Sequence, residues 1–386
     1  MPTLKKIIIH AGLAKTGSSY IQNSLHILER SNAFSNVCYP SNKEEQDFQH
    51  IASGNGARIG ILLKPDITCE FLKDEIMAEF ENLLKQMSSS KKIMLISSEM
   101  FAKAEPKRFN FLLEYMGNYC NNIQVFVFVR SFVPWTWSVY QQLIKRSSLH
   151  LGYKEWLDKY LLDFVSAAAI NILSFNSQLK MLKFSKNNLL ENLLTECGEK
   201  TELSKRLPKD KVNRSLSKLE FDMMLTVNKI FNDMEASTLI TDEFIRRSPN
   251  IKSTYMPQNL NIHAMNAYKN IRMDLKRIGT DEALHMMHLL NGKDSDSNVN
   301  ESHSYDNEHY EKEFNELLGI ILKVIHGRYS SLSHLYRTAK YLEESRDYFD
   351  PIHYLLINPD LLSQNIEPLK HFKKTGKSEM RFTCYK

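Results

Sequence analysis

A chain of 386 residues with 50 Lys and Arg against 45 Asp and Glu has a formal net charge of +5, too small to indicate nucleic acid as its main partner. Its length suggests two or three units, and a hydrophobic content of 42% is enough for a sizeable core. The five cysteines are odd in number and form no CxxC pair, which predicts reduced thiols in a cytoplasmic protein and argues against a disulfide framework or a zinc site.

The first element is the apolar run "KKIIIHAG", which predicts a buried strand. The run ends within a few residues and no cleavage-like sequence follows, so we expect no signal peptide. The longest apolar runs of the chain, "IMLIS" and "VFVFV", are too short to span a bilayer. We therefore also expect no membrane-spanning segment.

A turn rich in glycine and serine follows this strand and opens a helical pattern. Gly12 and Gly17 let the backbone approach a ligand closely, and the first turn of a helix presents unpaired N–H groups and positive potential. Ser18 and Ser19 add hydroxyl donors, and Lys15 adds a full positive charge. The pattern predicts a site for a phosphate or a sulfate. The alternative is a plain strand–helix turn in which serines cap the helix.

Two more strands and the helices between them follow. "SYIQNSLHILERS", "CEFLKDEIMAEFENLLKQM" and "KRFNFLLEYMGNYC" have the apolar spacing of amphipathic helices. "KKIMLISSE" and "IQVFVFVRS" are short apolar runs with polar flanks, typical of strands buried on both faces of a parallel sheet. Alternating strands and helices predict an α/β fold with a doubly wound parallel sheet.

After Arg130 the chain is predicted to be mostly helical, with a helix that begins near Pro134. Trp135, Trp137 and Tyr140 on that helix either stack on an adenine or a sugar ring or, as is more common, fill a core. "SQLKMLKFS" has the composition of a further short strand, which the pattern alone does not place. His285 and His288 have metal-like spacing but no identifiable third ligand, so a partly packed helix face is the simpler interpretation.

Residues 291–309 are predicted to be a linker. "NGKDSDSNVNESHSYDNE" begins like a calcium-binding loop, but Val299 and Tyr305 replace the glycine and the glutamate that such a loop requires. The domains expected from the sequence are therefore an α/β domain over residues 1–290, the polar linker over 291–309, and a helical module over 310–386.

The glycine-rich turn is not a Walker A motif, because Lys15 precedes Gly17 rather than following it. The order K-T-G-S-S resembles the phosphosulfate loop of the sulfotransferases that use 3′-phosphoadenosine 5′-phosphosulfate (PAPS). Bacterial members of that family often read H-x-G-x-x-K-T-G-T-T-x-x-Q. The resemblance implies a sulfotransferase-like, P-loop-related core and a PAPS-binding loop, with the matching residues His10, Gly12, Lys15, Thr16, Gly17, Ser18, Ser19 and Gln22.

The family's second signature is an arginine at the end of a buried strand with a serine eight residues later. Arg130 and Ser138 have this spacing, and the resemblance implies that they hold the 3′-phosphate. A guanidinium suits this role because it can bind a phosphate with two hydrogen bonds; an arginine in an ion pair at the sheet edge is the alternative. "LISSEM" and "DKVNRSLSKLE" resemble weaker family segments.

Sulfuryl transfer needs charge stabilisation and a base. Lys15 is expected to bind the bridging oxygen and stabilise the leaving phosphate. Glu99, just past the second strand, and His50, in a glycine-containing loop, are the two candidate bases, and each has a structural role as its alternative. His10 is expected to orient the loop. The arrangement requires no metal.

The C-terminal segment resembles a short module found beside glycosyltransferases of bacterial surface polysaccharides. Asn358, Pro359, Asp360 and Gly376 are among the matching residues. The resemblance implies a glycan or lipid-linked saccharide as the acceptor and an association with enzymes of polysaccharide synthesis. A kinase or NTPase of related fold, and a non-catalytic protein of glycan assembly, remain the alternatives.

Overall fold

The computed structural model describes residues 4–40, 54–88, 90–161, 171–175, 178–207, 215–247, 258–292, 307–330 and 371–376. By their contacts the chain divides into two compact units. The first comprises residues 1–139, 153–210 and 256–299, and the second comprises residues 140–152, 211–255 and 300–386. The predicted domain boundaries at residues 290 and 310 stay a prediction.

The first unit is built on a five-stranded sheet in which all the pairings are parallel. The order across the sheet is β2-β3-β1-β4-β5, so the first strand lies at the centre. The predicted α/β fold class is therefore confirmed. The strands are β1 (Lys6–Ala11), β2 (Val37–Cys38), β3 (Ile93–Ser98), β4 (Ile123–Val129) and β5 (Gln178–Lys183).

The central strands are long apolar runs because both of their faces are covered. Ile7, Ile8 and Ile9 of β1 have no exposed surface, and burying each side chain stabilises the fold by roughly 1.5–3 kcal/mol. In β5, by contrast, only Met181 is fully buried. Because this edge strand mixes lysines with apolar residues, its sequence pattern alone does not place it as a strand.

One or more helices connect successive strands of the sheet along most of the chain up to β5. Helix α1 (Ser18–Arg30) buries Ile21, Leu25 and Leu28 against a cluster that includes Ile8 and Phe126 of the sheet. The helices that follow are α2 (Ala57–Leu62), α3 (Leu72–Lys85), α4 (Pro106–Gly117), α5 (Phe132–Arg146), α6 (Tyr153–Leu161) and α7 (Leu189–Glu196). Short 3-10 turns span Glu99–Lys103 and Thr201–Arg206.

The remaining described helices are α8 (Lys218–Phe231), α9 (Met234–Arg247), α10 (Gln258–Ile278), α11 (Asp281–Leu290) and α12 (Asn307–Ser330), and a short π-helical turn covers Phe372–Gly376. In the second unit α9 packs on α8 and on α12. The buried amide of Asn228 donates to the carbonyl oxygens of Ile144 and Leu149, at 2.8 and 2.9 Å. Within the described residues, no helix is both long and apolar enough to cross a membrane.

Candidate active site

Three strands end side by side and carry the predicted site to one edge of the sheet. Ala11 is paired with Ser98, and the N–H of Gly12 donates to the carbonyl oxygen of Ser98 at 3.2 Å. β4 is paired with β1 on the other side, and Arg130 follows its last residue. Because ligands of open α/β sheets bind at the carboxyl ends of the strands, Gly12, Glu99 and Arg130 begin their loops where a ligand site is expected.

The loop between β1 and α1 has two residues in the left-handed region of backbone space. Gly17, just before the helix, has φ of 83°, and Lys15 has φ of 63°. Such a φ costs a residue with a side chain of order 1 kcal/mol or more, so its presence at Lys15 is a feature typical of functional loops. Thr16 stabilises the turn, because both its N–H and its hydroxyl donate to the carbonyl oxygen of Leu13.

The N-terminus of α1 has the features of an anion site. Among the described residues no side chain caps its first turn, and the turn contains no acidic residue. The first N–H groups of a helix have no partner within it, and the helix dipole adds positive potential there. Ser18 is buried, with a hydroxyl that makes no hydrogen bond within the described residues, whereas Ser19 is half-buried. The two hydroxyls predicted as donors thus differ in their surroundings.

Arg130 and helix α5 hold the loop from the opposite side. The indole Nε1 of Trp135 donates to the carbonyl oxygen of Ala14 at 2.6 Å, and a guanidinium nitrogen of Arg130 donates to that of Lys15 at 3.4 Å. The guanidinium also lies over the ring of Phe184, 5.0 Å from its centre. The two predicted phosphate motifs are therefore in direct contact.

Ser138 and Trp135 lie three residues apart on α5, and residues with this spacing share a helix face. Ser138 therefore lies about one helical turn after Trp135, the residue that contacts the loop, and its side chain is half-buried. Trp135 itself is 2% exposed, so its ring belongs to the core and its polar edge to the loop. The alternative in which it stacks on a ligand ring is therefore disfavoured.

Glu99 begins a 3-10 turn that Ser98 caps by accepting a hydrogen bond from the N–H of Met100 at 3.1 Å. Burial raises the pKa of the Glu99 carboxyl, and the charge of Lys15, the hydroxyl of Ser18 and the charge of Lys103 partly oppose this rise. The Ser18 hydroxyl thus lies near enough to the carboxyl to affect its pKa, although it forms no hydrogen bond of good geometry within the described residues. A carboxylate with a raised pKa is suited to accept a proton.

Gly12 lies between the side chains of Ser18 and Glu99 and allows both to approach the end of β1. A Cβ at this position would lie 2.2 Å from the Ser18 hydroxyl oxygen and 3.3 Å from Cγ of Glu99. A side chain at this position would therefore displace the Ser18 hydroxyl and press on the Glu99 side chain. The site therefore unites the end of β1, the first turn of α1 and the turn after β3.

His10 lies beneath the loop and is not exposed. Its Nδ1 is 2.9 Å from the hydroxyl oxygen of Ser97, which also accepts a hydrogen bond from the amide of Gln22 at 3.2 Å. Burial lowers the pKa of His10 to about 4, so the ring is neutral at neutral pH. Its hydrogen-bond partner is Ser97 of β3, and the expectation that it orients the loop stays a prediction.

The other predicted site residues stand as follows. His50, the segment "DKVN" and all of the C-terminal module except residues 310–330 and 371–376 lie outside the described residues. Nε2 of His285 lies 3.3 Å from the carbonyl oxygen of Met181, so this histidine contacts β5. Among the described residues no group of three or more His, Cys, Asp or Glu is placed to hold a metal ion.

The sequence patterns do not predict the contact of Arg130 with Phe184, the hydrogen bond from Trp135 to Ala14, or the hydrogen bonds between the Asn55 side chain and β3. All three are contacts between residues distant in the chain, and no local pattern marks such partners. For Asn55 the sequence does offer a hint of a special backbone arrangement, because the residue lies between two glycines in "SGNGARIG".

The chain is thus an α/β protein whose central strand leads into a glycine-containing turn at the N-terminus of α1. No family model matches it, and no curated protein matches it. A solved structure that resembles it is a sulfotransferase from Alicyclobacillus acidocaldarius, with a TM-score of 0.35 and 14% identity over 63% of this chain and 96% of that chain. A similarity this weak supports no conclusion about function, which has to be argued from the geometry of the site.

Proposed function

We propose that the protein is a sulfotransferase that moves a sulfuryl group from PAPS to a hydroxyl group of a glycan or lipid-linked saccharide. The observation that carries the proposal is the hydrogen bond from Arg130 to the carbonyl oxygen of Lys15. It joins the two motifs that would hold the two ends of a bisphosphorylated nucleotide. A protein that bound only a 5′-phosphate would have no need of the second motif.

In this proposal the loop and the first turn of α1 bind the 5′-phosphosulfate. Gly12 and Gly17 allow the close approach, and Ser18 and Ser19 donate hydroxyl hydrogen bonds. Thr16 shapes the loop, because its donors are used within it. Arg130 and Ser138 bind the 3′-phosphate, and the ring of Phe184 fixes the plane of the guanidinium.

The transfer step needs one base and one cation. The acceptor oxygen attacks sulfur, and its proton passes to the Glu99 carboxylate. The bond between sulfur and the bridging oxygen breaks, and its electron pair leaves with 3′-phosphoadenosine 5′-phosphate (PAP). Lys15 neutralises the charge that develops on that oxygen, where a charge-assisted hydrogen bond contributes roughly 1.5–3 kcal/mol.

The surroundings of Glu99 support its role as the base. Burial raises its pKa, and the charge of the Lys15 ammonium partly opposes this rise. A base is most effective when its pKa lies near the working pH. His50 remains the alternative base.

We also propose an acceptor, partners and a location, which rest on sequence and cysteine chemistry rather than on the geometry of the site. The resemblance of the C-terminal segment to a module of polysaccharide enzymes supports a saccharide acceptor and an association with such enzymes. The described cysteines Cys38, Cys69, Cys120 and Cys197 are thiols, which supports a cytoplasmic location.

Transfer of radioactive sulfate from PAPS tests the proposal. The purified protein is incubated with labelled PAPS and a panel of neutral and charged saccharides, and both labelled product and PAP are measured. We expect transfer that depends on the acceptor and is lost in Arg130→Ala. ATP labelled in its γ-phosphate serves as the control; transfer of phosphate instead of sulfate would replace the proposal with a kinase.

A further inference from the structure

We propose that Asn55 is a positioning residue that holds the turn of residues 97–100, and with it the Glu99 carboxylate, in the site. The proposal deepens the proposed function, and its consequence for catalysis rests on that function. The contacts that support the proposal do not depend on any ligand. They lie at the outer edge of β3, where the neighbouring strand β2 ends early.

β2 pairs with β3 over only two residues. Val37 is paired with Ile93 and Cys38 with Met94, and there β2 ends. β3 continues to Ser98, so its outer edge needs other hydrogen-bond partners beyond Met94. These groups are buried, and a buried backbone group without a partner costs free energy.

The Asn55 side chain supplies the missing partner. Its Nδ2 donates to the carbonyl oxygen of Leu95 at 3.0 Å, and its Oδ1 accepts from the N–H of Ser97 at 2.8 Å. In a parallel pair, one residue bonds in the same way to the residues before and after its partner on the neighbouring strand. A carboxamide has the donor and acceptor of a peptide group. Asn55 therefore extends the sheet by one rung, opposite Ile96.

Asn55 is itself held in place. It is 7% exposed, and its N–H donates to the hydroxyl of Tyr39, which follows β2, at 3.2 Å. Its neighbour Gly56 donates to the carbonyl oxygen of Ser97 at 3.1 Å. The same residue of β3, Ser97, is thus bound both by the side chain of Asn55 and by the backbone of the next residue.

Three glycines bring this segment against the turn that carries Glu99. A Cβ on Gly54, where φ is 79°, would lie 2.1 Å from the carbonyl oxygen of Ser97. A Cβ on Gly56 would lie 2.7 Å from the ring of Phe101, and one on Gly60 would lie 2.6 Å from Cβ of Met100. Residues 54–60 therefore pack closely against residues on both sides of Glu99.

The inner edge of the same turn is held by β1. The N–H of Gly12 donates to the carbonyl oxygen of Ser98, and His10 and Gln22 bind the hydroxyl of Ser97. With Asn55 intact the turn is supported from both edges of β3. Without its amide, the groups of Leu95 and Ser97 would have to bind water, and the turn would shift outward toward solvent.

Asn55→Ala tests the proposal, with Asn228→Ala as the matched control. Asn228 is also a buried asparagine that binds two backbone groups, but they belong to Ile144 and Leu149 of the second unit. Carbon-13 NMR of protein labelled at the glutamate carboxyls, with Glu99→Gln to assign the signal, reports the Glu99 pKa. We expect Asn55→Ala to lower this pKa toward its usual value, because the carboxylate becomes hydrated, and Asn228→Ala to leave it unchanged.

An unchanged Glu99 pKa in Asn55→Ala would overturn the proposal, and so would an equal change in both variants. Asn55→Ser, which can keep one of the two hydrogen bonds, provides a second variant if the alanine variant does not fold. Its pKa should lie between those of the parent and the alanine variant. This readout needs no substrate and therefore remains valid if the proposed function is wrong.

The catalytic consequence is measured separately. A displacement of about 1 Å can cost roughly 10²-fold in rate, so kcat should fall by about that factor in Asn55→Ala while KM for PAPS stays within about twofold. A kcat equal to that of Asn228→Ala would overturn the catalytic role of Asn55. A parent protein that neither binds PAP nor transfers sulfate would instead contradict the proposed function.

Discussion

Lys15 and Glu99 carry opposite charges within one site, and the charge of one affects how the other titrates. Burial raises the pKa of Glu99, and Lys15 lowers it again in part. In the proposed reaction the two act on opposite sides of sulfur, since Glu99 receives a proton while Lys15 stabilises the leaving oxygen. Substituting Lys15 should therefore affect the departure of the leaving group, whereas substituting Glu99 should affect the removal of the acceptor proton.

Lys15→Ala should lower the rate of sulfate transfer by about 10²–10³-fold, the usual effect of removing one transition-state hydrogen-bond donor. The fold should persist, because Lys15 lies in a partly exposed loop. Transfer kinetics and thermal unfolding measure the two effects. Lys107→Ala, at an exposed position of α4, is the control. A Lys15→Ala variant with nearly the parent rate would show that the loop has another role.

Glu99→Gln should lower turnover by roughly 10²–10⁴-fold, the usual contribution of a general base, with little change in PAP affinity. In the parent, activity requires the ionised carboxylate, and burial raises its pKa above the usual value. The rate should therefore fall as the pH is lowered through this raised pKa, and Glu99→Gln should lose that limb of the profile. If His50→Ala abolishes transfer and Glu99→Gln does not, the base is His50.

At the scale of single elements, the turn between β1 and α1 depends on a backbone conformation that side chains disfavour. Gly17 has φ of 83°, and its Cβ position lies 2.3 Å from a methyl carbon of Leu189 on α7. The glycine thus both ends the loop and allows α7 to approach α1. Loop geometry and core packing are coupled at this position.

Gly17→Ala should destabilise the fold by about 1–2 kcal/mol, the cost of a left-handed φ for a residue with a side chain, and should weaken PAP binding. Gly117→Ala is the matched control. Gly117 is the last residue of α4, and outside its own helix no described residue has an atom within 4 Å of its Cβ position. That change should be neutral or stabilise by up to about 1 kcal/mol. Equal melting temperatures for the two variants would contradict the assigned strain.

Glu199 fixes the start of β2. Its carboxylate accepts hydrogen bonds from the N–H groups of Ser35, Asn36 and Val37, at 3.0, 2.7 and 2.9 Å. Burial acts to raise its pKa, but the backbone hydrogen bonds from Asn36, Ser35 and Val37 outweigh it, so the pKa lies below its usual value. A group with a lowered folded-state pKa stabilises the fold above the unfolded-state pKa. This contribution is lost as the pH falls through the folded-state pKa.

Glu199→Gln should therefore lower the free energy of unfolding at pH 7 by about 1.5–3 kcal/mol, the usual contribution of hydrogen bonds to a charged group. The difference from the parent should shrink as the pH falls below the usual glutamate pKa of about 4.3 and through the lower folded-state pKa of Glu199. Urea unfolding at both pH values measures it, and Glu202→Gln at an exposed position is the control. A difference that does not vary with pH would contradict the charge-based explanation.

At the scale of the whole molecule, the sequence predicts what depends on local pattern. β1, β3 and β4 are continuous apolar runs, and the glycine-rich turn after β1 has its chemistry in consecutive residues. β5 could not be placed, because an edge strand with three lysine or glutamine residues among its six lacks such a run. The pairing of Asn55 with β3 joins residues 40 positions apart, and no local signal specifies a partner at that distance.

The central claim is that the site binds a nucleotide through two phosphate motifs, and calorimetric titration with PAP against ATP tests it most directly. PAP has the 3′-phosphate that Arg130 and Ser138 are proposed to bind, whereas ATP lacks it. We predict that PAP binds at least tenfold more tightly than ATP, and that Arg130→Ala removes most of this preference, as expected for a charge-assisted hydrogen bond worth roughly 1.5–3 kcal/mol. Equal affinity for the two nucleotides, or a preference that survives Arg130→Ala, would contradict the account.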